Sequence, residues 1–261
     1  MKKLNWITII IFMGALGALA LGCNLSKTSS NSNTTSAAAN DNKNSNSSSS
    51  PAANGQDHSK SAAPAAKPDI AGKYNITGTN PDGAAYKGTM EVITRGDVYQ
   101  FKWDAGAQYD GVGIQNGNIV AVSYTTGANG KGCGVVDYDI QGDGTLDGKW
   151  GYWGTNEMGT ETAMRTGGSS LVGEYDATGK NPDGKQYKAK LTVEPAGALY
   201  HFVWSNNSDG IGIKRGNNVA VGIGGTRCGF VTYQVQSDGS LDGLWGGMGI
   251  DKTGTEKASK Q

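Results

Sequence analysis

The most constraining feature of this sequence is that its second half repeats the first. Asn80–Gly83 recurs as Asn181–Gly184, both reading NPDG, and Asp143–Trp150 (DGTLDGKW) recurs as Asp238–Trp245 (DGSLDGLW). Further matched pairs are Tyr74 with Tyr175, Tyr86 with Tyr187, Trp103 with Trp204, Cys133 with Cys228, Tyr138 with Tyr233, and Glu161 with Glu256. So many matches in the same order indicate a tandem duplication.

Each copy is predicted to be all-β. Tyr99, Phe101 and Trp103 alternate with polar residues, which is the period of a half-buried strand. The NPDG segments are strong turn signals, because proline presets φ and glycine accepts a positive φ. In the first copy we predict about eight short strands, near residues 72–79, 85–94, 98–104, 110–115, 118–125, 133–141, 145–152 and 159–165.

These strands predict two tandem antiparallel β domains, residues 69–166 and 170–258. A small up-and-down barrel is favoured because closure removes exposed strand edges, and a sandwich or a six-stranded closed sheet is the alternative. Glycine makes up 42 of the 261 residues without a Gly-x-y period, so we expect it to serve turns and tight sheet curvature.

The N-terminus carries an export signal. Lys2 and Lys3 precede an apolar run from Ile7 to Leu21, and small residues lead to Cys23. This segment resembles a bacterial lipoprotein signal. The resemblance implies cleavage after residue 22, lipidation of the Cys23 thiol and amine, and durable anchoring in a membrane. An ordinary signal peptide with an incidental cysteine is the alternative.

Residues 23–68 follow as the lipidated cysteine and a segment rich in Ser, Asn and Ala. Such a composition cannot bury enough apolar area to fold, so a disordered tether is predicted. Its roughly 45 residues would give a root-mean-square reach of about 35–40 Å. Asn24 replaces the aspartate that would favour inner-membrane retention, so the outer membrane or the cell surface is the expected location.

Charge argues against a nucleic-acid partner. Of 23 basic and 23 acidic residues, six bases and two acids lie within residues 1–68, which leaves 17 bases and 21 acids for the two copies. An acidic surface does not attract phosphate backbones.

The repeated pattern resembles a family of small exported bacterial domains of unassigned function. The shared features are a Gly-x-Tyr start, the NPDG turn, a Tyr-x-x-x-Trp strand and an Asp-Gly-x-Leu-x-Gly-x-Trp hairpin. Some members carry a fibronectin-binding label, which implies binding to a surface component. A more distant likeness to avidin and lipocalin barrels implies a ligand cavity lined by Tyr74, Trp103 and Trp150 or their repeat partners.

Aromatic residues are the best candidates for binding. Tyr152 and Trp153 have no aromatic counterparts in the second copy, so they are predicted to form an exposed patch. Tryptophans matched between the copies are expected mainly in the core. The candidate ligand or partner contacts are Tyr152, Trp153, Trp103, Trp150, Trp204 and Trp245.

Other reactive side chains are sparse. The only histidine beyond the tether is His201, so neither a catalytic triad in both copies nor a histidine metal site is expected. Cys133 and Cys228 either form a disulfide between the copies or are separate small core residues. Carboxylate pairs could hydrolyse glycosides only across a shared cleft. The acidic residues considered for such pairs are Asp147, Asp242, Glu161 and Glu256.

The sequence therefore predicts a non-enzymatic lipoprotein without cofactor or metal. It would be anchored in the membrane through Cys23 and would display two β domains that bind a protein, glycan or other surface component. A small-molecule carrier with a barrel cavity is the alternative, and a carboxylate hydrolase ranks below both.

Overall fold

The computed structural model describes residues 67–261. The first repeat contributes eight strands, and their bounds match the sequence-based strands closely. They are β1 (Gly72–Thr79), β2 (Ala85–Arg95), β3 (Val98–Asp104), β4 (Gln108–Asn116), β5 (Ile119–Thr126), β6 (Gly134–Ile140), β7 (Leu146–Tyr152) and β8 (Gly159–Ser169).

The second repeat contributes eight more strands and one 3₁₀ turn, Gly225–Arg227. The strands are β9 (Val172–Lys180), β10 (Gln186–Ala196), β11 (Leu199–Trp204), β12 (Ser208–Arg215), β13 (Asn218–Ile223), β14 (Gly229–Val235), β15 (Leu241–Gly247) and β16 (Gly254–Lys260). Within residues 67–261 there is no α-helix, and so no helix long and apolar enough to span a membrane.

The sixteen strands form two closed antiparallel barrels of eight strands each, which confirms the predicted fold class. Barrel A has the order β1-β16-β15-β14-β5-β4-β3-β2, and barrel B has the order β10-β11-β12-β13-β6-β7-β8-β9. Each barrel therefore takes five strands from one repeat and three from the other.

The predicted domain bounds, 69–166 and 170–258, consequently do not delimit the barrels. Strand β5 pairs with β14, with Val122 opposite Val231, and β13 pairs with β6, with Val221 opposite Val136. Because β6 and β14 come from equivalent positions of the two repeats, both present the same pattern of inward residues. The repeats have exchanged their last three strands, a choice that the repeat pattern does not encode.

An apolar contact joins the two barrels. Val112, Ile114, Ala121, Val135 and Ala220 point outward from strands of both barrels and pack into one buried cluster. A second cluster, at equivalent positions of the other repeat, contains Leu199, Ile211, Ile213 and Phe230. Burying outward-facing apolar side chains in this way stabilises the exchanged arrangement.

Stacked aromatic rings fill the middle of each barrel. In barrel A the Phe101 ring lies 5.5 Å from Trp103 and 6.2 Å from Tyr233, measured between centroids. Barrel B repeats the stack with Phe202, Trp204 and Tyr138.

The strand β1 end of barrel A is closed by Ile70, whose carbonyl accepts a hydrogen bond from the Tyr74 hydroxyl at 2.7 Å. Leu171 and Tyr175 make the same contact in barrel B at 2.8 Å. The opposite end of each barrel is open.

Candidate functional site: two aromatic pockets with a glutamate floor

A buried glutamate lies near the open end of barrel A. Oε1 of Glu256 accepts hydrogen bonds from the Trp103 indole N–H at 3.1 Å and from the Tyr233 hydroxyl. Oε2 accepts a hydrogen bond from the Tyr86 hydroxyl at 2.9 Å. Four strands thus meet at one carboxyl group, and Glu256 is only 5% exposed.

Barrel B contains the same arrangement around Glu161, which is 4% exposed. Oε1 accepts from the Trp204 indole N–H at 3.0 Å and from the Tyr138 hydroxyl, and Oε2 accepts from the Tyr187 hydroxyl at 2.8 Å. Because the strands are exchanged, each network combines residues of both repeats.

The hairpin sequence explains how such a network fits inside so narrow a barrel. Gly243 lies opposite Tyr233 on the neighbouring strand, and a Cβ atom on Gly243 would lie 2.6 Å from the tyrosine ring. Gly148 leaves the same space for Tyr138 in barrel B. The second glycine of Asp-Gly-x-Leu-Asp-Gly-x-Trp therefore admits the tyrosine that reaches the glutamate.

Burial raises the pKa of the titratable groups around Glu256. It raises the pKa of Tyr233 and Tyr86 well above the ordinary tyrosine value, and the neighbouring Glu256 raises both further. The raised pKa favours the protonated form of both tyrosines, which is the form that donates a hydrogen bond to Glu256. Burial also raises the pKa of Glu256, against the effect of the three donors, which stabilise its ionised form.

Neither glutamate has a cationic partner among the residues that the structure describes. The ion pairs there involve Asp176, Asp183, Asp209 and Asp242, all of them on the outside of the barrels. The two buried carboxyl groups are hydrogen-bonded, yet no Lys, Arg or His within residues 67–261 lies within 4.0 Å to compensate their charge.

Above each glutamate a pocket opens to solvent. The pocket of barrel A has a volume of about 210 Å³, and the pocket of barrel B about 270 Å³. We call them mouth pocket A and mouth pocket B. Both are smaller than the roughly 300–1,000 Å³ that is usual for drug-sized ligands. Each pocket therefore suits one ring, one side chain or one small head group.

Aromatic rings form the walls of both pockets. Mouth pocket A is lined by Tyr86, Trp103, Tyr109, Tyr124 and Trp245. Mouth pocket B is lined by Trp150, Tyr152, Tyr187 and Trp204.

The two pockets differ in a few walls only. Ser208 and Ile223 of mouth pocket B occupy the repeat positions of Tyr109 and Tyr124. Mouth pocket A thus has the larger number of aromatic walls.

The structure brings five of the six sequence-predicted contacts into the mouth pockets. Trp103 and Trp245 line pocket A, and Trp150, Trp204 and Tyr152 line pocket B. The sequence favoured a core position for the matched tryptophans. Trp103 and Trp204 are buried and stack on Phe101 and Phe202, whereas Trp150 and Trp245 are partly buried, and all four line a pocket.

The expected exposed patch of Tyr152 and Trp153 is not present. Both side chains are half-buried, and they point to different places. Trp153 packs against the apolar cluster between the barrels and donates its indole N–H to Asp110 at 2.5 Å. Tyr152 is the last residue of β7 and lines mouth pocket B, whereas Trp153 begins the following turn, so the pair does not form one patch.

Two other expectations need correction. Tyr74 does not line a cavity, because it is fully buried at the closed end of its barrel. The carboxylate pairs do not form, because Asp147 pairs with Thr162 in the ladder and so faces outward while Glu161 faces inward. Glu161 and Glu256 lie in different barrels.

Cys133 and Cys228 form a disulfide with a Cα–Cα distance of 5.7 Å. Of the two alternatives left open by the sequence, the bridge is the one found. Cys23, the proposed lipidation site, lies outside the described residues, as do the signal segment 1–22 and the tether up to residue 66.

Sequence reasoning did not recognise that Glu256 binds Tyr86 and Tyr233 in one network and that Glu161 binds Tyr187 and Tyr138 in a second. The signal was present, since Tyr86, Tyr138 and Glu161 all recur in the second copy. Recurrence alone does not show convergence, because the partners of one glutamate come from both repeats. Within residues 67–261 no group of three His, Cys, Asp or Glu side chains is arranged to hold a metal ion.

Comparison of the chain with protein-family models, curated proteins and solved structures found no match.

Proposed function

We propose that this chain is a membrane-anchored lipoprotein that displays two β-barrels for binding a protein or another surface component, without catalysis. The observation that carries the proposal is the pair of mouth pockets, each walled by aromatic rings above a buried glutamate. Aromatic rings at a pocket offer large contact area at low entropic cost, which is typical of recognition sites.

The size of the pockets supports a displayed binder. At about 210 and 270 Å³, they suit a group that protrudes from a larger partner, such as a side chain or one sugar ring. Two similar pockets on one chain also permit avidity toward a partner that repeats the recognised group.

A non-enzymatic role is supported by how the glutamates are held. Each mouth pocket contains one glutamate, whereas glycoside hydrolysis uses two carboxyl groups across one cleft. Both oxygens of each glutamate already accept hydrogen bonds from tyrosine or tryptophan.

Anchoring and location rest on the N-terminal sequence. The lipoprotein-type signal ending at Cys23 supports a lipid anchor, and Asn24 favours the outer membrane or the cell surface. The likeness to the exported repeat family supports the same location and remains a hypothesis.

A small-molecule carrier is the second candidate. It is favoured by the opening of both pockets to solvent and by their polar floor. Native mass spectrometry of the protein released gently from its membrane distinguishes the two functions. A bound small molecule of constant mass would favour the carrier.

Pocket-filling variants test the proposed function. Ala105 lines mouth pocket A and Asn206 lines mouth pocket B, so Ala105→Trp and Asn206→Trp should fill the pockets without removing a core side chain. Ala107→Trp, in the same turn as Ala105 but outside the pocket, is the matched control.

The full-length protein in detergent is immobilised and exposed to solubilised envelope glycans, envelope proteins and matrix proteins. We expect the double variant to lose a retained component that wild type and Ala107→Trp keep. Retention that is equal in all three proteins would contradict binding through the mouth pockets.

A further inference from the structure

We infer that each mouth pocket binds an organic ammonium group, either a protonated amine or a quaternary ammonium, with the aromatic walls around the cation and the buried glutamate below it. This inference rests on the proposed function and adds the chemical class of the recognised group.

Neither buried glutamate has a cation beside it among residues 67–261. Buried carboxylates in proteins are normally paired with a cation or a metal, because desolvation of an isolated charge is costly. Glu256 and Glu161 accept three hydrogen bonds each from neutral donors, and none of these bonds brings a positive charge to the carboxyl group. A cation entering from the pocket would supply the missing partner.

The aromatic rings of mouth pocket A meet one another at steep angles. In mouth pocket A, Tyr86 and Trp245 meet at 70° with centroids 6.4 Å apart, and Tyr109 and Tyr124 meet at 79° with centroids 5.8 Å apart. Because the rings are steeply inclined to one another, their faces and edges surround the pocket from several directions. Cations are attracted to such ring faces, and cages of this kind recognise quaternary ammonium groups.

Mouth pocket B contains an equivalent pair of steeply angled rings, Trp150 and Tyr187, at the repeat positions of Trp245 and Tyr86. Trp150 meets Tyr187 at 68° and Tyr152 at 77°, with centroid distances of 6.2 and 5.7 Å. The buried glutamate and the steeply angled rings therefore occur together in both pockets, although the two pockets differ in other walls.

The volumes also fit this class. A pocket of about 210 Å³ accommodates a trimethylammonium group or the tip of an alkylamine, and the rest of the partner stays outside. An anionic group would be repelled by the glutamate, and a neutral group of the same shape would gain only the apolar contact.

The difference between the pockets predicts their order of affinity. Pocket A has Tyr109 and Tyr124 where pocket B has Ser208 and Ile223, and pocket B adds Tyr152, so pocket A has five aromatic walls and pocket B four. Since more ring faces attract a cation more strongly, pocket A should bind the same ammonium probe more tightly.

The experiment uses choline and its neutral carbon isostere, 3,3-dimethylbutan-1-ol, with butylammonium as the primary-amine probe. Each is titrated into the full-length protein in detergent, and tryptophan fluorescence and calorimetry are recorded. We expect at least one ammonium probe to bind at least tenfold more tightly than the isostere, because the shape is shared and the charge is not. If neither choline nor butylammonium binds more tightly than the isostere, the inference is overturned.

Variants assign the sites. Ala105→Trp should abolish the tighter binding event and Asn206→Trp the weaker one, while Ala107→Trp should change neither. Glu256→Gln should weaken the tighter event about tenfold and leave the weaker one unchanged. If Glu256→Gln does not fold, the comparison of choline with its isostere on the wild-type protein still decides the role of charge.

Failure of this inference is separable from failure of the proposed function. If the pocket-filling variants abolish retention of an envelope or matrix component but ammonium probes neither bind nor compete with it, the pockets bind another class of group. If retention is also independent of the pockets, the proposed function fails as well.

Discussion

Cys133 is bonded to Cys228, and each cysteine immediately precedes the three strands that its repeat contributes to the other barrel. Cys133 precedes β6 and Cys228 precedes β14, so the disulfide joins the two crossovers of the exchange. The bond therefore links the barrels at the place where the chain passes between them.

Removing this bond should lower stability. The bridge closes a segment with a sequence separation of 95 residues, and a native disulfide of this kind typically contributes about 2–4 kcal/mol. We expect the free energy of unfolding of the double variant Cys133→Ser, Cys228→Ser, measured by urea unfolding, to be lower by about 2–4 kcal/mol. Added reductant should destabilise the wild type and leave the variant unchanged. A wild type that is equally stable with and without reductant would contradict the prediction.

A chain that ends after the first repeat, at Ser169, should form a dimer. Alone, it would expose the outward apolar side chains that now pack between the barrels, including Val112, Ile114 and Val135. Two copies could exchange β6–β8 and bury these faces, with Cys133 of each copy bridged to the other. Light scattering should give twice the monomer mass, and a non-reducing gel a linked pair. A stable monomer would show that one repeat can close on itself.

Asp137 should make stability depend on pH. It is buried between the barrels, accepts a hydrogen bond from Asn218 at 2.7 Å, and its pKa is raised by burial to about 6. The folded state therefore binds a proton more tightly than the unfolded state, and stability falls as pH rises from about 4 to 6. The loss should be roughly 1–3 kcal/mol, given 1.36 kcal/mol per pKa unit.

Asp137→Asn provides the comparison for that pH effect. Urea unfolding at pH 4.5 and pH 7.5 should show a smaller difference for the variant than for the wild type. Burial also raises the pKa of Glu256, so a residual slope of the same sign is expected in the variant. If the free energy of unfolding changes equally with pH in the wild type and in Asp137→Asn, Asp137 is not the source of the pH dependence.

Tyr233, which donates a hydrogen bond to Glu256, should contribute more to stability than Tyr109, which lines mouth pocket A without such a bond. Tyr233→Phe removes one of the three donors to Glu256 and should cost about 1–3 kcal/mol, the usual penalty for an under-satisfied buried polar group. Tyr109→Phe is the matched control, because Tyr109 lines the same pocket without contacting Glu256 by a hydrogen bond. Chemical unfolding of the two variants tests this, and equal losses would contradict it.

Cys23 should carry the lipid. In cells fed a labelled fatty acid, Cys23→Ser should abolish labelling and release the protein from the membrane, because a single residue receives all the acyl chains. Ser26→Ala, close by in the sequence, should keep both the label and the membrane association. Membrane retention of unlabelled Cys23→Ser would argue for a different anchor.

The local structure was largely predictable from the sequence. Alternation around Tyr99, Phe101 and Trp103 places β3, and the NPDG segments place turns in which Gly83 and Gly184 adopt positive φ values of 88° and 86°. These features depend on neighbours in the chain, which a single sequence records directly.

The candidate site was predictable only in part. The tryptophans were identified as candidate contacts because they are aromatic. Their partner Glu256 was not identified, because Trp103 and Tyr233 meet it across 153 and 23 residues of chain. Contacts at such separations depend on the order of strands around the barrel, which local periodicity does not report.

By itself, the sequence determined the duplication, the all-β class, the strand bounds and the aromatic residues that line the interior, because each follows from local pattern and turn chemistry. Only the tertiary structure decided which repeat completes which barrel. Strands β6 and β14 carry equivalent inward patterns, so pairing β5 with either satisfies the same ladder. The apolar faces between the barrels and the Cys133–Cys228 bond favour the exchanged pairing. Each of these contacts joins residues that are distant in the chain, so local sequence pattern does not report them.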